Sequence, residues 1–289
     1  MKHESLESEK DQNWTLEITP KRGVLDIPLK DIWAYRDLMF LLVRRDFVAM
    51  YKQTILGPLW LIIQPVLTTI VFTIVFGNIA NISTDGLPQV LFYLAGITCW
   101  TYFSDSLTKT SETFTQNAKL FGKVYFPRVI VPISIIVSNL IKLGIQFLLF
   151  LLFLGYFWGE SDSVQPNAVV LMFPILIILM GGIGLSMGMI ISSLTTKYRD
   201  LRFLLSFAVQ LLMYATPVIY PVSTLPEKYM PFIMANPITP IIETFRYGFL
   251  GQGHFDLGSL LYSFTFMMVS LFIAIIVFNQ VEKNFMDTV

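Results

Sequence analysis

"LGPLWLIIQPVLTTIVFTIVF", Leu56–Phe76, is the stretch on which the fold turns. It holds no Asp, Glu, Lys or Arg, and as a helix rising about 1.5 Å per residue it crosses the roughly 30 Å hydrocarbon layer of a bilayer. Five further apolar runs follow, Val90–Ser111, Ile130–Phe157, Val169–Leu194, Leu201–Tyr220 and Leu257–Phe278, the first of them polar toward its end. The expectation is an all-α integral membrane protein with six transmembrane helices. The 289 residues are 54% hydrophobic and 14% charged, with Lys and Arg balancing Asp and Glu, so net charge does not point to nucleic acid as a partner. One cysteine (Cys99) and two histidines (His3, His254) supply neither a disulfide nor a Cys/His metal cluster.

Basic residues set the expected orientation. Arg44, Arg45 and Lys52, then Lys119, Lys123 and Arg128, then Lys197, Arg199 and Arg202 fall on one side. The loops "GNIANISTDGLPQ" and "GESDSVQPN" on the other side carry none, and the long third loop only Lys228 and Arg246. Both termini are therefore expected in the cytoplasm. The domain reading is a polar cytoplasmic tail over 1–30, an amphipathic interfacial gate helix over 31–55, a six-span permease domain over 56–280 and a cytoplasmic C-terminus over 281–289. The tail opens "MKHESLESEKDQNW" without an apolar core of a signal peptide. Trp14–Leu29, broken by Pro20 and Gly23, is expected as a short strand or extended arm. The outer segment 221–256 holds two apolar pieces too short to span, expected as re-entrant helices. The second shows Thr239 as N-cap, Pro240 at the first position and Gly251 past the end. "GGIGLSMG", with Gly184 and Gly188 four apart, permits close helix packing. No internal repeat is visible, which argues against a secondary transporter.

Several side chains stand out. The cytoplasmic loop 117–128, "NAKLFGKVYFPR", sets Leu120, Phe121, Val124, Tyr125 and Phe126 among Lys119, Lys123 and Arg128. Apolar anchors in a polar rim suit docking to a partner, and aromatics resting at the membrane interface are the alternative. Arg44, Arg45 and Lys52 suit a lipid-linked diphosphate met at an entrance, or simply orient the first span and bind bulk acidic lipid. Lys142 lies about 18 Å along its span, where an ammonium facing lipid is unfavourable. It is expected either to pair, with Asp105 as a candidate, or to snorkel to the interface. Glu243 and Arg246, three apart on the short outer helix, pair with each other or serve as an outer gate touching substrate. Trp60, Gln64, Thr68, Phe72 and Phe76 recur every fourth residue on the first span, and Phe203, Phe207, Gln210 and Tyr214 share a face of the fifth. Such stripes either pack the bundle or line a path for sugar rings.

Three long stretches, "YRDLMFLLVRRDFVAMYKQTILGPLWLIIQP", "NAKLFGKVYFPRVIVPIS" and "YRDLRFLLSFAVQLLMYATPVIYP" with its continuation "NPITPIIETFRYGFLG", resemble in order and spacing the permease subunits of type-2 ABC transporters that export polysaccharides. Among these the O-antigen (lipopolysaccharide) exporter permeases, often called Wzm, are most similar, with teichoic-acid exporter permeases as near relatives. The resemblance implies a homodimer of this chain with two copies of a separate ABC ATPase, moving an undecaprenyl-diphosphate-linked polysaccharide across the bacterial inner membrane. It further implies that loop 117–128 carries the helix docking on the ATPase, and that the first and fifth spans line the canal. No G-x-x-x-x-G-K-[ST] stretch is present, so ATP and its magnesium are expected on the partner and no cofactor on this chain. The chain is expected not to be an enzyme; a membrane-embedded glycan or lipid transferase is the rival from another class, and lacks a cluster of carboxylates or histidines to support it.

Overall fold

The computed structural model describes residues 29–52, 54–124, 126–160, 163–198 and 200–288, with side chains except at 29–31, 50, 51 and 283–288. Among these every regular element is helical. The arm expected over 14–28, and Tyr125 and Arg199, lie outside the described residues. The chain begins with two short helices, α1 (Leu29–Ala34) and α2 (Arg36–Tyr51), where the sequence suggested one, interrupted at Tyr35. Next comes α3 (Trp60–Phe72), entered through a 3-10 turn at Gly57–Leu59 and continued by a π-helical turn over Thr73–Ile79. Then follow α4 (Gln89–Ser111), α5 (Thr113–Phe121), α6 (Ile130–Glu160), α7 (Phe173–Thr195), α8 (Leu201–Tyr214), α9 (Met230–Met234), α10 (Thr239–Leu250) and α11 (Leu257–Thr288).

Among the described residues four helical stretches are long and apolar enough to cross a membrane: Gly57–Ile79, Ile130–Glu160, Ala168–Thr195 and Leu257–Glu282. The other two expected spans differ in kind. α4 is long enough at 23 residues but carries Thr98, Ser106, Asp105 and Lys109, and it is the central helix of the molecule. It packs against α7 on one side and α6 on another, with α11 beyond α7. A helix shielded on most sides by protein need not be uniformly apolar. α8 is apolar but has only 14 residues and stops at Tyr214, short of the expected Tyr220.

The α4–α7 seam shows why glycine recurs there. A Cβ on Gly184 would sit 2.8 Å from Ser106 Cβ, and one on Gly188 2.6 Å from Thr110 Cβ, so the two backbones approach as only small residues permit. At the far end α10 folds back onto the bundle. Its last residue is followed by Gly251 at φ 79°, whose N–H donates to Tyr247 O at 3.1 Å, as the sequence suggested. Its start differs: Thr239 is the first helical residue, and its hydroxyl donates to Ile233 O at 2.8 Å instead of capping. The turn is held by Asn236, whose Oδ1 accepts from the Ile238 N–H at 3.0 Å.

Candidate functional site

At the α5 end, loop 117–128 divides by direction. Phe121 and Phe126, 5% exposed, turn into the protein's own core with Phe114, whose ring stacks on Phe278 of α11 at 4.6 Å. The Arg128 guanidinium lies over the Phe121 ring at 5.5 Å and donates to Glu282 O at 2.7 Å, tying the loop to α11. Lys119, Lys123 and Val124 face outward, and Leu120 is half-buried. Among the described side chains of the loop, this outward set is the part a partner could reach.

Beside this loop α2 lies along α6. Arg44, Arg45 and Lys52 are all exposed, and Arg45 also binds Asp46 through Nε at 2.9 Å and reaches Asn117 Oδ1 at 3.5 Å. Between α2, α4, α5 and α6 opens a cavity of about 350 Å³ whose polar lining is Arg45, Asp46, Lys109, Gln116, Asn117 and Ser138. Behind it Lys142 Nζ donates to Asp105 Oδ2 at 2.8 Å with its side chain only 12% exposed, which is the pairing the sequence left open. Lys109, one turn after Asp105 on α4, stands 3.9 Å from the same oxygen and donates to Asn139 Oδ1 at 2.9 Å. Sequence reasoning passed over Lys109 and Asn139. The available signal was spacing, since Asp105 and Lys109 are four apart and Asn139 and Lys142 three.

The two aromatic stripes part company. Along α3, Trp60 and Gln64 are exposed, Thr68 and Phe76 half-buried, and Phe72 buried with its ring edge-on to Phe76 at 5.2 Å and Tyr93 at 6.1 Å. A step of four advances about 40° around a helix, so four steps carry the stripe nearly to the opposite side. On α8 the steps are four, three and four, and Phe203, Phe207, Gln210 and Tyr214 all remain exposed on one face. The Phe203 ring is 78% exposed.

At the opposite end Glu243 and Arg246 are buried and paired at 3.3 Å. Arg246 also donates to the carbonyls of Pro217 and, at 2.7 Å, Val218, and lies over the Phe92 ring at 3.8 Å; Glu243 Oε2 accepts the His254 N–H at 3.2 Å. The chain beyond α8 has left the helix while Thr216, Val218 and Ile219 stay buried. Its carbonyls need donors from elsewhere in the fold, and the guanidinium fork of Arg246 provides two.

A helical membrane protein with a charge network in its bundle, an exposed aromatic face and a basic loop is the class the geometry defines. Residues 37–250 match the family described as ABC-2 type transporter, and the chain belongs to that family. It is 26% identical over 263 residues to the O-antigen export system permease protein RfbA of Myxococcus xanthus, covering 90% of this chain and 98% of that one. It is 28% identical over 258 residues to RfbA of Klebsiella pneumoniae, covering 87% and 94%. The polysialic acid transport protein KpsM of Escherichia coli is 24% identical over 244 residues, covering 83% and 91%.

Proposed function

We propose that this chain is the permease subunit of an ABC transporter that exports an undecaprenyl-diphosphate-linked polysaccharide of the O-antigen class. Two copies form the membrane part and two copies of a separate ABC ATPase supply the energy, binding ATP and magnesium in place of this chain, which catalyses no reaction itself. The family match and the names of the relatives, which export O-antigen or transport polysialic acid, support the substrate class. The single structural observation that favours it is the α8 face, where Phe203, Phe207, Gln210 and Tyr214 offer flat apolar surfaces and an amide without a charge that would trap a passing sugar.

The chain makes six crossings of the inner membrane with both termini cytoplasmic. α4 crosses inside the bundle, and α8 crosses with the help of the non-helical stretch after Tyr214, a form of backbone tolerated at membrane depth where protein surrounds it. α1 and α2 lie at the cytoplasmic interface, where exposed Trp33 of α1 and Phe40 and Leu41 of α2 enter the headgroup layer. The deciding experiment returns this chain, with its neighbouring ATPase, to a strain lacking both and follows lipid-linked glycan at the outer leaflet. Restored export requires both subunits. Export with the permease alone, or glycan that stays inside with both present, removes the reading.

A further inference from the structure

We propose that the cavity between α2, α4, α5 and α6 binds the phosphate group of a lipid diphosphate, with Lys109 as the direct contact and Lys142 as the residue that leaves it free to make it. The proposal rests on the export reading for its lipid. Its basis is how the charges around the cavity are assigned. Arg45, Lys109 and Lys142 supply three cations, against two carboxylates, Asp46 and Asp105. Asp46 is taken by Arg45 at 2.8 Å and Asp105 by Lys142 at 2.8 Å. Nearby Glu112 is held by Arg202 at 3.5 Å and by the Gln116 amide. Among the described residues Lys109 therefore keeps a neutral amide, Asn139 Oδ1 at 2.9 Å, and a carboxylate 3.9 Å away that another ammonium already holds.

An ammonium so placed carries the net positive charge of the cavity into a space of about 350 Å³. Gln116, Asn117 and Ser138 add polar groups to the wall. A phosphate oxygen entering there gains a charge-assisted hydrogen bond from Lys109 without displacing an ion pair. Lys142 acts at one remove. Without it Asp105 turns its charge on Lys109, four residues along the same helix, and the cavity becomes neutral.

The test measures binding of polyprenyl diphosphate in phosphatidylcholine nanodiscs to the full-length permease purified with its ATPase, with inorganic diphosphate as competitor. Lys109→Met weakens binding about tenfold or more, the loss of one hydrogen bond to a charged group, while Lys109→Arg stays close to the parent. Lys142→Met also weakens it, and adding Asp105→Asn to Lys142→Met restores it because Lys109 is free again. A merely structural role for Lys142 predicts no such rescue. Displacement by inorganic diphosphate makes the headgroup alone sufficient; Lys109-dependent lipid binding without displacement makes the whole lipid the ligand, and both uphold the site. Lys109→Met binding like the parent overturns it, and if that variant does not assemble, absence of the Asp105→Asn rescue overturns it instead. A parent that binds inorganic diphosphate through Lys109 but no polyprenyl diphosphate keeps the site and removes the export reading. A parent that binds the lipid regardless of Lys109 does the reverse.

Discussion

Arg246 is where one side chain holds the most structure. It is 1% exposed, paired with Glu243, packed on Phe92 and bonded to two consecutive carbonyls beyond α8. A buried ion pair by itself is weak evidence for stability, because desolvating both groups offsets much of their attraction. The carbonyls change the balance: without Arg246 they would face a buried environment with no replacement donor, and Glu243 would be left charged and alone. Arg246→Met is expected to lower stability by about 3–5 kcal/mol. Arg246→Lys is expected to recover little of it, because one ammonium does not reproduce a planar fork bridging two carbonyls. Thermal unfolding of the purified complex checks both, and a lysine variant as stable as the parent would show that charge alone matters here. Gly96 belongs to the same arrangement: a Cβ there would lie 2.8 Å from Arg246 Nη2 and 2.9 Å from Val218 O.

Among the elements, α5 and the loop after it combine two tasks on opposite faces. The inner face joins the core through Phe114, Phe121 and Phe126, so a movement imposed on α5 reaches α11 through Phe278 and Glu282. The outer face presents Lys119, Lys123, Val124 and part of Leu120. For a docking element this division is mechanically sensible, since a partner grips one side while the other transmits. It also determines which substitutions are informative. Phe121→Ala removes core packing and is expected to destabilise the permease by about 3–5 kcal/mol, so loss of the ATPase in that variant says nothing about docking. Val124→Asp, at a position half exposed and outside the core, is expected to release the ATPase in co-purification while leaving the unfolding temperature of the permease unchanged, because a carboxylate in an apolar groove is strongly disfavoured only when the groove is present. Undiminished co-purification would move the docking site elsewhere.

For the molecule as a whole, the outstanding surface is the ribbon of exposed apolar side chains on α8. Phe203, Leu204, Phe207, Leu211 and Tyr214 are all more than two-fifths exposed. In a membrane such a face meets lipid, a second copy or the substrate, and the Gln210 amide among the rings favours a wet or sugar-lined surface over hydrocarbon. Phe207→Ala and Tyr214→Ala are expected to change stability by no more than about 0.5 kcal/mol, as for other exposed positions, yet to reduce glycan export. Cysteines at position 207 in both copies are expected to crosslink. Normal export by both alanine variants together with absent crosslinking would assign the face to lipid. Phe72→Ala is a poor probe of the same question, because that ring packs against Phe76 and Tyr93 and its removal leaves a cavity.

Much of this was legible in the linear sequence because apolar length is a local property. Leu56–Phe76 announces a membrane helix with no knowledge of its neighbours, and the absence of a phosphate-binding loop is equally plain. Gly184 and Gly188 signalled a close helix contact for the same reason, although not that α4 would fill it. Direction was not legible. Phe121 and Val124 stand three apart in one basic loop, yet the first is core and the second surface, which depends on α11 arriving from the far end of the chain. The α3 stripe failed to mark one face because a repeat of four drifts around a helix of about 3.6 residues per turn, whereas the α8 spacing stays in place. Lys109 gained its uncompensated charge only when α6 brought Lys142 to Asp105, and Arg246 its carbonyls only when α10 folded back over the end of α8. Helix formation and membrane insertion follow from neighbours along the chain; which charge is satisfied, and by what, follows from neighbours in space.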